Sequence, residues 1–126
     1  MVDVVAALIE REGKILICQR SRNKKRAVCW EFVGGKVEAG ESKREALIRE
    51  CREELLIDVM PSEEYCTVEY TYPDISIRLT VFRTSITHGE PQRTEHEDIR
   101  WIDKSEITQY EFCPADRDIV AKILQE

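Results

Sequence analysis

Apolar positions along the 126-residue chain change period in a way that lays out its elements. Val2–Glu10 is β-branched and apolar, Glu12-Gly13 reads as a turn, and Lys14–Arg20 is a second apolar run. The pattern predicts a hairpin whose first strand is buried on both faces. Trp30-Glu31-Phe32-Val33 predicts a short strand leading into Gly34-Gly35-Lys36. From Ser42 to Leu55 no Gly or Pro interrupts, and Ser42 followed by Glu45 is a capping-box signature, which places a helix N-terminus at Ser42. At about 100° per residue, Leu47, Ile48, Cys51 and Leu55 share one side, while Ala46, Glu50, Glu53 and Glu54 gather on another. Cys66–Tyr72 and Ile75–Ile86 predict two antiparallel strands around Pro73-Asp74, with Ile75, Ile77, Leu79 and Val81 alternating as in a half-buried strand. Thr87–Thr94 holds Gly89 and Pro91 and predicts a loop. Ile99–Ile102 predicts a short strand and Asp103–Ile107 a helical turn. Pro114 at N1 opens a last helix with Ile119, Val120, Ile123 and Leu124 as its buried stripe. These elements predict an α/β fold with a mixed sheet between helices, in one domain spanning residues 1–126.

Composition narrows the partners. The net charge is −6 and there is no basic tract, which argues against a nucleic-acid polymer. Hydrophobic residues are 42% and charged residues 35%, as in a soluble globular protein. No stretch approaches the roughly 20 apolar residues of a membrane span, and the run Val4–Ile9 follows Asp3 rather than a basic region, so no signal peptide is expected. Cysteines 18, 29, 51, 66 and 113 form no CxxC pair, which predicts buried reduced thiols and a cytoplasmic protein.

The chemistry concentrates in the acidic face of the first helix. Glu50 with Glu53 is an i,i+3 pair and Glu50 with Glu54 an i,i+4 pair, so three carboxylates share a patch with Cβ atoms about 5–6 Å apart. Such a patch is either a solvated face, with Arg49 and Arg52 damping repulsion, or a set of hard oxygen ligands for a divalent cation. The entire spacing distinguishes them. Gly35, then Glu41, then Arg49-Glu50-Cys51-Arg52-Glu53-Glu54 and Ile57 resemble the Nudix box, Gly-x5-Glu-x7-Arg-Glu-U-x-Glu-Glu-x-Gly-U with U apolar, at eight of nine specified positions over residues 35–57. The departure is Leu56, where the family has Gly. A C′ Gly ends a helix in the αL conformation, so Leu56 implies either another helix exit or strain of about 1–2 kcal/mol.

The resemblance implies a Nudix α/β/α sandwich with a mixed central sheet and, in its MutT-like branch, a nucleoside triphosphate pyrophosphohydrolase. It implies Mg²⁺, with Mn²⁺ as an alternative, held by Glu50, Glu53, Glu54 and the Gly34 carbonyl, and a proton taken from water by Glu50 or Glu53. Arg49 would orient Glu50 and Glu41, and Gly35 and Glu41 would shape the motif. In this branch a further Glu six positions before a Trp adds a ligand; Glu95 precedes Trp101 by that spacing and is preferred to Glu97. His88 and His96 are expected to be surface histidines. Arg20 and Lys36 would meet the phosphates, although Arg20 also suits a plain strand-end charge. The basic loop Ser21–Ala27 is either solvated or poised over the phosphates. Asp116 would read the base edge, or merely complement the helix dipole. Val4, Ala6, Phe32, Tyr72 and Phe82 are candidate walls for the base, each equally suited to the core. Trp30–Glu38 and Pro114-Ala115-Asp116 resemble bacterial CTP pyrophosphohydrolases more than 8-oxo-dGTP enzymes, which implies CTP or dCTP as substrate and 8-oxo-dGTP as the alternative. A non-catalytic nucleotide sensor is the reading from another class, and a monomer or homodimer fits either.

Overall fold

Strand β1 (Val2–Arg11) is the member around which the sheet is assembled, because its side chains are apolar on both faces. In the computed structural model, which describes residues 1–126, β1 runs parallel to β6 (Ser76–His88), from Val2 opposite Ile77 to Ile9 opposite Thr84. Its pairing with β2 (Lys14–Gln19) is confined to the turn, at Glu10↔Ile15 and Arg11↔Lys14. Nearer its start, the same edge of β1 takes β4 (Gly34–Lys36), with Ala6 opposite Gly34 and Val5 opposite Gly35. β2 instead pairs with β3 (Trp30–Glu31) and β7 (Asp98–Asp103). The expected hairpin therefore exists but splays. β5 (Asp58–Thr71) closes the far edge against β6.

The alternation of β1 feeds two cores. Val5, Ala7 and Ile9 pack toward helix α1 (Lys43–Leu55), with Ala46, Leu47, Cys51 and Leu55. Ala6 and Leu8 pack toward helix α2 (Pro114–Leu124), with Ala115, Ile119 and Ile123. A fully buried leucine stabilises by about 1.5–3 kcal/mol, so the two layers fix both helices. A 3₁₀ turn at Lys104–Gln109 joins β7 to the last helix.

Several expectations need correction. β5 starts at Asp58, not Cys66, despite Pro61. It is an edge strand with three register shifts, and an edge tolerates a residue without an N–H. β6 extends to His88, and the buried stripe of α2 is Ala115, Asp116, Ile119 and Ile123. Val120 is half-buried and Leu124 is 51% exposed, because the stripe faces the sheet more narrowly than the apolar pattern suggests.

Helix α1 begins as expected: Ser42 and Glu45 exchange both bonds of the capping box. It ends with Leu56 in the αL region at φ 57° and ψ 37°, its N–H donating to the Arg52 carbonyl. The helix exit is thus the one a glycine would make, and Leu56 bears the strain. Leu56 is 52% exposed, so little packing would be lost in Leu56→Gly. Relief of about 1–2 kcal/mol of αL strain, less about 0.5–1 kcal/mol of glycine backbone entropy, is expected to raise stability slightly. A higher urea midpoint with an unchanged m-value would register it; a lower midpoint would contradict the strain.

The thiols also differ from expectation. Cys29 and Cys113 form a disulfide across 84 positions, and only Cys18, Cys51 and Cys66 are free. The pair meets because Trp30 bridges the two segments: the Trp30 N–H donates to Glu111 at 2.8 Å and the Cys113 N–H to Trp30 at 2.9 Å. Sequence spacing contains no trace of that contact. Closing so long a loop stabilises by about 4.5 kcal/mol in the chain-entropy account. Reduction is expected to lower the urea midpoint accordingly, and Cys29→Ser should abolish sensitivity to dithiothreitol.

Candidate active site

A cleft of about 550 Å³ opens between β4, the acidic face of α1 and the start of α2. Its two ends are chemically unlike. At one end stand Gly34, Gly35, Lys36, Glu50, Glu53, Glu54 and Glu95; at the other, Val4, Ala6, Phe32, Tyr72, Ala115 and Asp116.

The diglycine is required by close approach. A Cβ on Gly34 would lie 1.8 Å from the Val5 carbonyl oxygen, and one on Gly35 would lie 2.5 Å from the Glu50 carboxyl carbon. Only bare backbone lets β4 pair with β1 while the α1 carboxylates reach the strand. Arg49 holds those carboxylates. Its Nε and Nη2 donate to Glu41 at 2.8 and 2.9 Å, its Nη1 donates to Glu50 at 2.8 Å and to Glu53 at 3.3 Å, and Nη2 also reaches the Lys36 carbonyl at 3.0 Å. The bidentate guanidinium, helped by the Glu38 N–H, pulls the Glu41 carboxyl down to about 2.

Glu54 has the opposite environment. It is 8% exposed, and its Oε2 has no hydrogen-bond partner. Burial pushes its carboxyl well above the usual range, with Glu50 adding to the effect. A buried carboxylate with a free oxygen beside a second carboxylate is the kind of site that a hard divalent cation satisfies. The donor set therefore fits such an ion, although no three His, Cys, Asp or Glu side chains converge at ligand spacing. Arg49 bridges Glu50 and Glu53, while Lys24 pairs with Glu95 at 3.2 Å. Glu97 turns to the Arg22 backbone N–H at 3.1 Å, so Glu95 and not Glu97 lines the cleft.

At the apolar end, Phe32 is 3% exposed and stacks on Phe112 with centroids 5.5 Å apart, serving core and wall together. Asp116 is buried, and its Oδ1 accepts the Phe32 N–H at 3.2 Å. Burial, then Glu31, pushes its carboxyl well up, against the pull of that N–H and of Arg20. The Tyr72 hydroxyl accepts from the Ala115 N–H at 2.9 Å. Arg26 lies 3.9 Å from the centroid of the Tyr72 ring and pairs with Asp74 at 2.9 Å. Arg20 reaches the cleft too, with Nη1 on Glu31 at 2.9 Å and Nε on the Lys25 carbonyl at 3.0 Å. The basic loop is exposed over most of its length, with Lys24, Lys25 and Arg26 in ion pairs to Glu95 and Asp74.

Two expectations fail here. Phe82 is not a wall of the cleft: it is 2% exposed in the core beneath α1, with the Arg44 guanidinium 4.9 Å from its centroid. Alternation along β6 sends Leu79 and Val81 to the other face. His96 is not a surface residue: it is 4% exposed, with Nε2 3.1 Å from Glu31 and 3.7 Å from Glu54. Lys24 and Arg26 of the basic loop line the cleft, and so does Glu31, which no local pattern marks because it meets Arg20 and His96 only through the fold. Ile75, Ile77 and Leu79 also line the cleft, and their alternation was visible.

A diglycine strand and a carboxylate helix flanking a cleft of this kind define a class, and the chain belongs to it: the family model described as NUDIX domain matches residues 1–123. It is a Nudix hydrolase of the MutT type. Among its relatives, "CTP pyrophosphohydrolase" of Escherichia coli strain K12 is 43% identical over 92% of this chain and 86% of its own length. "8-oxo-dGTP diphosphatase" of Haemophilus influenzae is 32% identical over 100% of this chain and 93% of its own. The crystal structure of the MutT protein from Methanosarcina mazei Go1 superimposes with a TM-score of 0.89 at 27% identity, covering 98% of this chain and 93% of that one. No helix is long and apolar enough to cross a membrane.

Proposed function

We propose that this chain is a Mg²⁺-dependent nucleoside triphosphate pyrophosphohydrolase that converts CTP or dCTP to the monophosphate and pyrophosphate. The observation that carries this reading is the two-ended cleft, with carboxylates at one end and a buried acid behind apolar walls at the other. The first end suits a cation-masked polyphosphate and the second a base. Residues 1–126 would form one cytoplasmic domain, as monomer or homodimer, acting on small nucleotides rather than polymers.

Mg²⁺, or Mn²⁺ in its place, would be held by Glu50, Glu53, Glu54, Glu95 and the Gly34 carbonyl. When bound, the cation supplies the positive charge that lets an acidic cleft accept a polyanion and makes water easier to deprotonate. Glu50 or Glu53 takes the proton from the attacking water. Arg49 keeps Glu50 aimed by charge-assisted hydrogen bonds. Arg20 and Lys36 meet the phosphates from the cleft wall. Attack at the β-phosphorus releases the monophosphate and pyrophosphate without a covalent enzyme intermediate.

Asp116 decides the base in this account. Ionised, it accepts from the exocyclic amino group of cytosine. The identity to the relative named CTP pyrophosphohydrolase supports that choice. The second reading is 8-oxo-dGTP, supported by the Haemophilus influenzae relative and by the raised Asp116 carboxyl, which when protonated donates to a keto oxygen. A sensor without activity is less favoured, because every carboxylate of the motif is kept and the relatives are named as hydrolases. Release of the nucleoside monophosphate with Mg²⁺ from CTP, dCTP, 8-oxo-dGTP and ADP-ribose tests these readings. The highest kcat/KM is expected for a cytidine nucleotide; preference for ADP-ribose, or no hydrolysis at all, would overturn the proposal.

A further inference from the structure

His96 plays no part in the chemistry above, yet it is almost wholly buried behind two carboxylates that line the cleft. Its Nε2 faces two carboxylates from two different elements, Glu31 of β3 at 3.1 Å and Glu54 of α1 at 3.7 Å. A bare nitrogen lone pair would repel the Glu31 carboxylate, which is ion-paired with Arg20, so the 3.1 Å contact assigns the proton to Nε2. The other oxygen of Glu31 accepts from Arg20 at 2.9 Å. Arg20, Glu31, His96 and Glu54 thus form one row, running from the expected phosphate contact to the buried carboxylate of the expected cation site.

Packing alone does not account for this residue. Nδ1 is buried without a hydrogen-bond partner, a penalty that an apolar side chain would avoid. The backbone on either side is independently fixed: the Glu97 N–H donates to the Gln19 carbonyl at 3.0 Å, and Arg93 Nη1 donates to the His96 carbonyl at 3.3 Å. The imidazole is therefore presented from an anchored segment, and its one hydrogen bond is from Nε2–H to Glu31, with Glu54 3.7 Å away.

We infer that His96 is a positioning residue, whose Nε2–H, hydrogen-bonded to Glu31 and 3.7 Å from Glu54, supports the Glu54 carboxylate at the cation site while keeping Glu31 on Arg20. The inference rests on the proposed function, since it concerns the orientation of a ligand in that site. Glutamine carries an amide nitrogen out to the reach of Nε2, asparagine only to that of Nδ1, and leucine has none. Binding of Mn²⁺ alone, followed by electron paramagnetic resonance, and kcat at saturating Mn²⁺ and CTP are the two readouts. Melting temperature is measured alongside.

His96→Gln is expected to stay within about threefold of wild type in both readouts. His96→Asn and His96→Leu should each weaken Mn²⁺ binding and lower kcat by about tenfold, with KM for CTP changing less than threefold. If His96→Leu does not fold, the Gln and Asn pair carries the comparison. Gln and Asn variants that behave alike, or that match wild type in Mn²⁺ binding, would overturn the inference and leave the proposed function standing. A wild-type chain that binds no Mn²⁺ and releases no pyrophosphate would overturn both.

Discussion

Glu53→Gln and Glu54→Gln are each expected to reduce Mg²⁺-dependent pyrophosphate release by at least about 1000-fold, some 4 kcal/mol of transition-state stabilisation, with the fold intact. The two arrive there differently. The Glu53 side chain is 60% exposed and makes one long contact, 3.3 Å to Arg49, so the amide costs little in stability. Glu54 is buried with one oxygen unpartnered and its carboxyl pushed up by burial, so a neutral isostere suits the site without cation at least as well as the acid does. In both variants a hard anionic oxygen is removed from the expected ligand set. Melting temperature, Mg²⁺ titration and single-turnover rates separate lost function from lost folding. Wild-type rates in either variant would show that the carboxylate takes no part in holding a catalytic cation.

Arg49→Lys carries the second large effect, a loss of about 100-fold in kcat/KM. Lysine places a point charge where the guanidinium forks to Glu41 and also spans Glu50, Glu53 and the Lys36 carbonyl. Misplacing one ligand of a preorganised site is enough to reduce the rate by that order. The same variant has a signature in acid. The folded Glu41 carboxyl lies at about 2, below its unfolded value near 4.3, so its contribution to stability is present above the unfolded value and is lost as pH falls toward 2. Wild-type stability should decline across that window, and Arg49→Lys should decline less steeply. Equal slopes in urea titrations at successive pH values would contradict the role given to the Glu41–Arg49 pair.

Legibility in the sequence followed the range of the interaction. The capping box at Ser42, the grouping of Glu50, Glu53 and Glu54, and the Pro114 start of α2 were all readable because helix geometry joins residues three or four apart. The Gly34-Gly35 approach was readable for a related reason, since only a missing side chain lets strand and carboxylate come together. Leu56 marks the limit of such local inference. The motif suggested an αL exit, the residue type opposed it, and the helix ends in αL, with the Leu56 N–H on the Arg52 carbonyl and the Ile57 N–H on the Cys51 carbonyl.

By itself, then, the order of residues determined the acidic helix, its start, the diglycine before it and the family these define. Tertiary structure alone decided that Cys29 would meet Cys113 and that His96 would be enclosed between Glu31 and Glu54. The reason is physical. Periodicity and capping are properties of a few consecutive residues, whereas a contact across 65 or 84 positions exists only after the strands have chosen partners and register, and no local pattern encodes that choice.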